Sequence, residues 1–453
     1  MLLGRSQELA QLNEYYNREG SQIVVVYGQK HIGKTALIKE FAKEKPVSFY
    51  VARACCEREQ VYQWSSEITG KESGQKLTDF DAIFVELTKE DTKKRILVIE
   101  EFQNLVKASP AFFKELLNFI NREWDTKEVL VLLCTSSVGW VENSMIKKIG
   151  EAAYALSGLL KMKELRFNDC VAFFPNYSKE QCIEVYAVLG GLPGMWACLD
   201  DRYTVKDNII STMLQKNGIL SHDGERMLSE ELREPAVYNT ILASLAEGRH
   251  KLNDLHLHTG FSRAKISVYL KNLMELELVE KVFSYDTEGY DNVQKGIYRI
   301  SNRFTHFYYK FIYPNLSQLM LLDAESFYER YIAPELKAYV AEYFVDVCKE
   351  HLEELNEEGS LPFVYERVGE WVGKVGNIDV VAQDDKANTL LVHCNYDKPM
   401  MPYEEYEKLL FCAKKAKLEA GFVYLYSIGK FDERLSLEAR VKDNLTLVSL
   451  KEL

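Results

Sequence analysis

Gly28-Gln29-Lys30-His31-Ile32-Gly33-Lys34-Thr35 matches the pattern G-x-x-x-x-G-K-[ST] at every position. By composition such a match arises by chance on the order of 1–2% of the time in a chain this long, so its flanks decide the matter. Residues 22–27 are an apolar β-run ending at the first glycine, and 34–41 open an amphipathic helix. Phosphate binding needs that order. Glycines let the backbone bend until its N–H groups converge on phosphate oxygens, and the helix N-terminus adds partial positive charge. Lys34 is expected to reach β- and γ-phosphates and the Thr35 hydroxyl to ligate Mg²⁺, which makes ATP and Mg²⁺ the expected ligands. Gly28, Gly33, Lys34, Thr35 and Ala36 are the expected nucleotide-binding residues. Lys30 and His31 are expected to face solvent.

Working outward, 47–52, 96–99 and 129–133 are further apolar runs rich in β-branched or aromatic residues. None alternates with polar residues, which suits strands buried on both faces of a parallel sheet. Between the last two, Ser109 stands at an N-cap, Pro110 at the first helical position, and Phe112, Phe113, Leu116, Leu117 and Ile120 on one face. Strand–helix–strand repetition predicts a three-layer α/β domain. Ile96-Leu97-Val98-Ile99 is followed by Glu100 and Glu101, at the strand end where ligands bind in such sheets. Glu100 is expected to orient water on Mg²⁺, and Glu101 to activate the attacking water as general base. After the fourth run, Thr135 and Ser136 are placed to sense the γ-phosphate.

The chain has 453 residues, 47% of them hydrophobic and 27% charged, which excludes disorder and predicts about three domains. No apolar run approaches a membrane span, and the start lacks a basic segment followed by an apolar one. The nine cysteines form no C-x-x-C pair, so free thiols, no zinc ribbon and a cytoplasmic location are expected. A net charge of −12 disfavours non-specific attraction to nucleic acid as a whole-molecule property, though a local basic face is compatible with it.

From about residue 168 the β-runs stop. Four regions follow from the pattern: an ATPase-type core over 1–167, a helical lid over 168–232, a winged helix over 233–315 and a tail over 316–453. In the third, helices at 235–247, 252–258 and 262–275 precede two β-pieces at 279–285 and 296–300. The third helix carries Arg263, Lys265 and Lys271 outward, with Ile266, Leu270 and Leu273 as its buried side. Ser262, Arg263 and Lys265 could face a DNA groove; the acidic turn 286–291 would repel phosphates, and protein docking competes. His256 and His258 do not have metal-ligand spacing. The tail reads as a long helix from 331 to about 355, then β-pieces at 362–366, 377–382, 390–394 and 421–426, with a helix at 403–420 before the last.

Together these segments resemble the archaeal-type ATPases, a branch of the STAND-like signalling P-loop NTPases within the AAA-like group. Leu3-Gly4-Arg5-Ser6-Gln7-Glu8-Leu9 resembles the family's G-R-x-x-E-L start, which lies near the adenine and implies Arg5 as a contact. Ile99-Glu100-Glu101-Phe102-Gln103 stands where the family has I-D-E-F-Q. Leu189-Gly190-Gly191-Leu192-Pro193 resembles the lid's G-x-P element, implying Pro193 against the nucleotide. Residues 302–312 also follow the family's order. The tail is similar to an appended domain of unknown function with a restriction-endonuclease-like fold of the PD-(D/E)xK type.

Three departures matter. Glu100 replaces the family's Asp, and its extra methylene implies slow turnover. Ser157-Gly158-Leu159-Leu160 lacks the Gly-Arg pair found after the fourth strand, so no arginine finger carries over; Lys161 and Lys163 are expected on a solvated strand edge. In the tail, Asp379 matches the nuclease aspartate, but His393-Cys394-Asn395 stands at E-x-K and Val345 at the helix glutamate. One ligand of three does not hold a catalytic Mg²⁺, so a degenerate nuclease fold without nuclease activity is expected, used for binding or assembly. The expected function is an ATP-binding switch or slow Mg-dependent ATPase whose closure is read by a protein partner or a second copy, without a membrane. The alternative is a DNA-binding regulator or defence effector in which ATP is a structural or regulatory ligand.

Overall fold

The apolar runs are strands. In the computed structural model, which describes residues 2–70, 77–89, 93–122, 127–224, 226, 232, 234–287 and 296–453, they are β1 (Gln22–Tyr27), β2 (Val47–Val51), β3 (Arg95–Glu100) and β4 (Val129–Thr135). A fifth strand, β5 (Gly158–Lys161), completes a sheet of order β2-β3-β4-β1-β5. Every pairing is parallel. β4 is buried along its whole length, as its unbroken apolar run predicts. Helices α1 (Ser6–Asn17), α2 (Lys34–Phe41), α3 (Glu57–Thr69), α4 (Phe80–Thr88), α5 (Gln103–Ala108) and α6 (Phe112–Arg122) accompany these strands. On one side Trp64, Phe84, Phe112, Leu116 and Phe119 pack against Val25, Leu97 and Val131 in a single core. The Trp64 ring stacks on Tyr50 at 4.3 Å between centroids.

The chain divides into two compact units. This sheet and its helices form the first, Met1–Leu165, joined by Leu192–Gly194 and Glu275–Glu277. The second comprises Arg166–Gly191, Met195–Met274 and Leu278–Leu453.

In the second unit, helices α7 (Phe167–Phe173) and α8 (Lys179–Leu189) come first. Ser178 caps α8 in a reciprocal capping box with Gln181. The winged helix follows as α9 (Pro235–Ala246), α10 (Leu252–Thr259), α11 (Arg263–Glu275) and the antiparallel pair β6 (Val279–Val282) and β7 (Ile297–Ile300). Ile266, Leu270 and Leu273 form the buried side of α11, as its 3.6-residue period requires. The turn residues 288–291 and most of 225–231, the last stretch of the region expected as a lid, lie outside the described residues. Next come α12 (Arg303–Phe307) and the long α13 (Ala333–Glu357).

Arg303 ties these helices together. Its guanidinium lies over the Tyr186 ring of α8 at 4.1 Å and the Tyr343 ring of α13 at 5.3 Å, and donates to Tyr186 O and Asp346 Oδ2 at 3.2 Å each. Nearby, the Glu350 carboxylate accepts from Tyr186 Oη at 2.6 Å and from the Phe167 N–H at 2.7 Å. Burial pushes the Glu350 pKa up, against the pull of those hydrogen bonds.

The tail forms a sheet of β8 (Arg367–Gly373), β9 (Gly376–Gln383), β10 (Thr389–Asn395), β11 (Phe422–Ser427) and β12 (Leu445–Ser449), in order β12-β11-β10-β9-β8. Helix α14 (Tyr403–Ala416) lies between β10 and β11 in sequence. Two expectations are corrected here. Residues 362–366 form no strand; the strand is Arg367–Gly373, where glycines at 369 and 373 break the apolar signal. The strand Leu445–Ser449 is additional. The wing also reaches the tail. Tyr285, just after β6, is 3% exposed and belongs to the tail's core with Trp371, Ile378, Val381 and Leu391. Its hydroxyl donates to Gln383 Oε1 at 2.7 Å, and Arg367 stacks on its ring at 4.1 Å. Arg299 of β7 pairs with Glu370 of β8.

Candidate functional site

β1 ends at Tyr27 and α2 begins at Lys34, so the P-loop hangs between a buried strand and a helix N-terminus. Its glycines are there for space and conformation. A Cβ on Gly28 would stand 2.6 Å from Met162 O, closer than real Cβ atoms come to an oxygen. Gly33 has φ 97°, in the left-handed region that glycine adopts without a steric penalty. Lys34 is 8% exposed, and its ammonium donates to Gly28 O at 2.8 Å and Gln29 O at 3.0 Å. The loop thus curls around its own cation. Thr35 and Ala36, at the helix start, are exposed.

Arg5 is attached to the loop itself. It is 4% exposed, donates through Nη2 to Ile32 O at 2.9 Å and pairs with Glu8 at 2.8 Å. Pro193 lies against the other side, its Cγ 3.3 Å from where a Cβ on Gly33 would be. The next residue, Gly194, donates its N–H to His31 O at 2.8 Å. His31 itself has φ 66° and is half-buried, as is Lys30, which corrects the expectation that both face solvent. For His31 the cause is this docking of the 192–194 turn.

The acidic pair sits at the end of β3. Glu100 Oε1 accepts from Thr35 Oγ1 at 3.0 Å, so the hydroxyl and carboxylate expected at Mg²⁺ already meet. Burial raises the Glu100 pKa, opposed by the Thr35 hydrogen bond and by Lys34. Glu101 has φ 52°, uncommon for a residue with a Cβ. Its carboxylate accepts from Ser136 Oγ at 3.0 and 3.3 Å and from Gln103 Nε2 at 2.6 Å. Ser136 comes from the end of β4, so two adjacent strand ends converge. Thr135, by contrast, is fully buried and caps the Ser137 N–H at 3.0 Å. Lys161 is engaged by Glu142 at 2.8 Å and Glu277 at 2.5 Å; burial works to lower its pKa, and the two carboxylates outweigh it and raise it.

These groups suit a nucleoside triphosphate with Mg²⁺. A buried ammonium faces loop carbonyls, a glycine loop opens onto a helix N-terminus, and an oxygen pair of the type hard cations take stands beside it. The sequence pattern assigns no role to Gln103 or Gly194; the polar residue two after Glu101 and the glycine after Pro193 are the available signals.

In the tail, Asp379 of β9 and His393 of β10 are paired, Oδ2 to Nδ1 at 2.8 Å, and the Cys394 N–H donates to the same oxygen at 2.8 Å. Glu405 of α14 lies 3.6 Å from His393 Nε2 and accepts from Lys398 at 2.6 Å. Sequence reading missed Glu405, which comes from a helix that follows the motif. Among the described residues no group of three or more His, Cys, Asp or Glu is arranged to hold a metal ion.

This sheet order and loop define the P-loop ATPase class. Residues 2–199 match the family described as an ATPase domain predominantly from Archaea. Residues 239–281 match the arsR family of bacterial regulatory proteins, a helix-turn-helix type, and 308–409 match archaeal and bacterial proteins of unknown function. Three successive parts of the chain are thus similar to an archaeal ATPase domain, a helix-turn-helix domain and that domain of unknown function. An uncharacterized protein of Methanocaldococcus jannaschii is 27% identical over 387 residues, 85% of either chain. An uncharacterized ATP-binding protein of the same organism is 34% identical over 47 residues, 10% of this chain and 80% of that protein. Among solved structures, the Walker-type ATPase of Pyrococcus abyssi aligns at 16% identity and a TM-score of 0.48 over 68% of this chain and 96% of that one. The ORC2 protein of Aeropyrum pernix with ADPNP and ADP aligns at 13% identity and 0.45 over 71% and 95%. Among the described residues no helix is long and apolar enough to cross a membrane.

Proposed function

We propose that the protein is a Mg-dependent ATP-binding switch that hydrolyses ATP slowly. The observation that supports this best is the convergence of Lys34, Thr35, Glu100, Glu101 and Ser136 on one loop and two neighbouring strand ends. In this reading the loop N–H groups and Lys34 hold the phosphates, with Arg5 and Pro193 fixing the loop's conformation. Thr35 and, through water, Glu100 hold Mg²⁺, which when bound neutralises charge developing on the phosphate oxygens. Glu101 takes a proton from water, and Ser136 senses the γ-phosphate. The longer Glu100 side chain in place of an aspartate keeps turnover slow, as suits a timer. The winged helix and tail present the nucleotide state to a partner. The helix Leu316–Leu321, whose Met320 and Leu321 are each 78% exposed, favours a protein partner or self-association.

Two variants test this reading. Lys34→Ala abolishes ATP binding measured with a fluorescent analogue, because it removes the loop's buried cation. Glu101→Gln binds ATP and stops hydrolysis, because an amide does not accept the proton. Wild-type dissociation constants in Lys34→Ala, or a wild-type rate near the enzyme median of about 10 s⁻¹, contradict it.

A second reading is a DNA-binding regulator controlled by ATP. It is favoured by the outward face of α11, where Arg263, Lys265 and Lys271 flank the exposed Ala264, Ser267 and Val268, small enough for a groove. A DNA shift that weakens steeply with salt supports it; unchanged affinity in Lys265→Glu counts against it.

A further inference from the structure

Glu101 is a glutamate on a left-handed backbone, and its carboxylate is held by two side chains. Ser136, half-buried, donates to Oε1 at 3.0 Å and also reaches Oε2 at 3.3 Å. Gln103 holds Oε2 alone, with its side-chain amide at 2.6 Å. Gln103 is the first residue of α5, and its surroundings leave it little freedom. It is 7% exposed. The preceding Phe102 is fully buried, packs edge-on against Trp140 at 5.3 Å and donates its N–H to Cys134 O at 3.1 Å. The following Asn104 donates its N–H to Glu101 O at 2.9 Å and its side chain to Ala52 O at 3.0 Å. The backbone on both sides of Gln103 is therefore pinned to strand ends.

One atom of Gln103 has no use in the packing. Its Oε1 is buried without a hydrogen-bond partner. A buried, unsatisfied acceptor is destabilising, and a methionine of similar size would avoid the penalty. The glutamine is explained by its donor, aimed at Glu101. We infer that Gln103 is the positioning residue for hydrolysis, fixing the Glu101 carboxylate through Nε2–H···Oε2 so that the other oxygen is left to meet water. The inference rests on reading Glu101 as the general base. Glu101 has three side-chain rotors, and a displacement of about 1 Å at a reacting group lowers rates by about 10²-fold. Ser136, which also faces the site, is expected to exchange its partner when nucleotide enters, whereas the buried Gln103 stays.

The test uses the full chain and Gln103→Met, which keeps the volume and removes the donor. The expected result is a turnover number lower by about 10- to 10²-fold, with the dissociation constant for fluorescent ATP changed less than about twofold, since no phosphate-binding group is touched. In the trace of hydrolysis left to Glu101→Gln, read by single turnover with protein in excess, the same substitution adds no further loss, because the residue it positions is gone. A readout without nucleotide accompanies these. In protein labelled with ¹⁵N-glutamine, the Gln103 amide proton is shifted downfield and slow to exchange, and loses both properties in Glu101→Ala. Unchanged turnover in Gln103→Met overturns the inference. So does an equal loss in the Glu101→Gln background, or an amide signal indifferent to Glu101→Ala. Full hydrolysis by Glu101→Gln alone would instead remove the general-base reading. The amide measurement does not depend on the folding of a Gln103 variant.

Discussion

Acidification from pH 7 to pH 5 is expected to weaken the second unit through His306. This side chain lies on α12, with Nδ1 2.6 Å from the Tyr343 hydroxyl and its ring 5.1 Å from that of Tyr339. Burial, then the nearby Lys310 and His250 charges, lower its pKa to about 3. The unfolded chain has a histidine pKa near 6.5, so below that pH the unfolded state binds the proton and the folded state does not. The His306 contribution is complete above about pH 6.5 and declines as pH falls from there toward 3. Each pH unit in that window is worth about 1.4 kcal/mol, so the span from 7 to 5 removes about 2 kcal/mol. The comparison is wild type against His306→Asn, whose side-chain amide can occupy the place of Nδ1 and keep Tyr343 paired. Urea denaturation of both proteins, nucleotide-free, at the two pH values isolates the histidine. The stability difference between them should change by about 2 kcal/mol. A difference independent of pH would refute the assignment of a neutral, buried imidazole.

Gly194→Ala should weaken ATP binding by about tenfold, since its Cβ would stand 2.9 Å from His31 O and 3.0 Å from His31 Cα and push the loop; titration with fluorescent ATP measures this. Arg303→Met should lower stability by about 3 kcal/mol, through loss of its bonds to Tyr186 O and Asp346 and of two ring contacts. Calorimetry of the nucleotide-free chain should show the lower transition.

The core was legible because three of its strands have buried apolar centres: only apolar residues stand at 23–26 of β1, 96–99 of β3 and 129–134 of β4, and the loop motif fixes which strand is β1. The edge strand β5, four residues of Gly-Leu-Leu-Lys, carries too little pattern to stand out. Arg367–Gly373 was displaced in the reading because its alternation is interrupted by two glycines and a bulge near Gly369. At the site, the residues with chemistry of their own, Lys34, Thr35, Glu100 and Glu101, are visible in a one-dimensional pattern. Those that act by holding others are not. Nothing in the spacing of Gln103 says that its amide meets Glu101, because that depends on the left-handed turn at Glu101. The 192–194 turn meets His31 across 160 residues, and no local pattern encodes such a distance. Glu405 illustrates the same limit in the tail: the carboxylate beside His393 comes from a helix that the motif does not include.

The seat of Tyr285 bears on how such chains can be recombined. A side chain that belongs to the wing by sequence completes the tail's interior, with Trp371 and Val381 around it and Arg367 over its ring. A cut near Leu316, which the sequence suggests as a natural border, would uncover a tyrosine on one fragment and leave a void in the other. Tails are therefore not interchangeable caps. An exchange between relatives that moved the tail alone would have to carry a matching wing with it, and crossover points that preserve folding are expected upstream of β6 rather than at the compositional border.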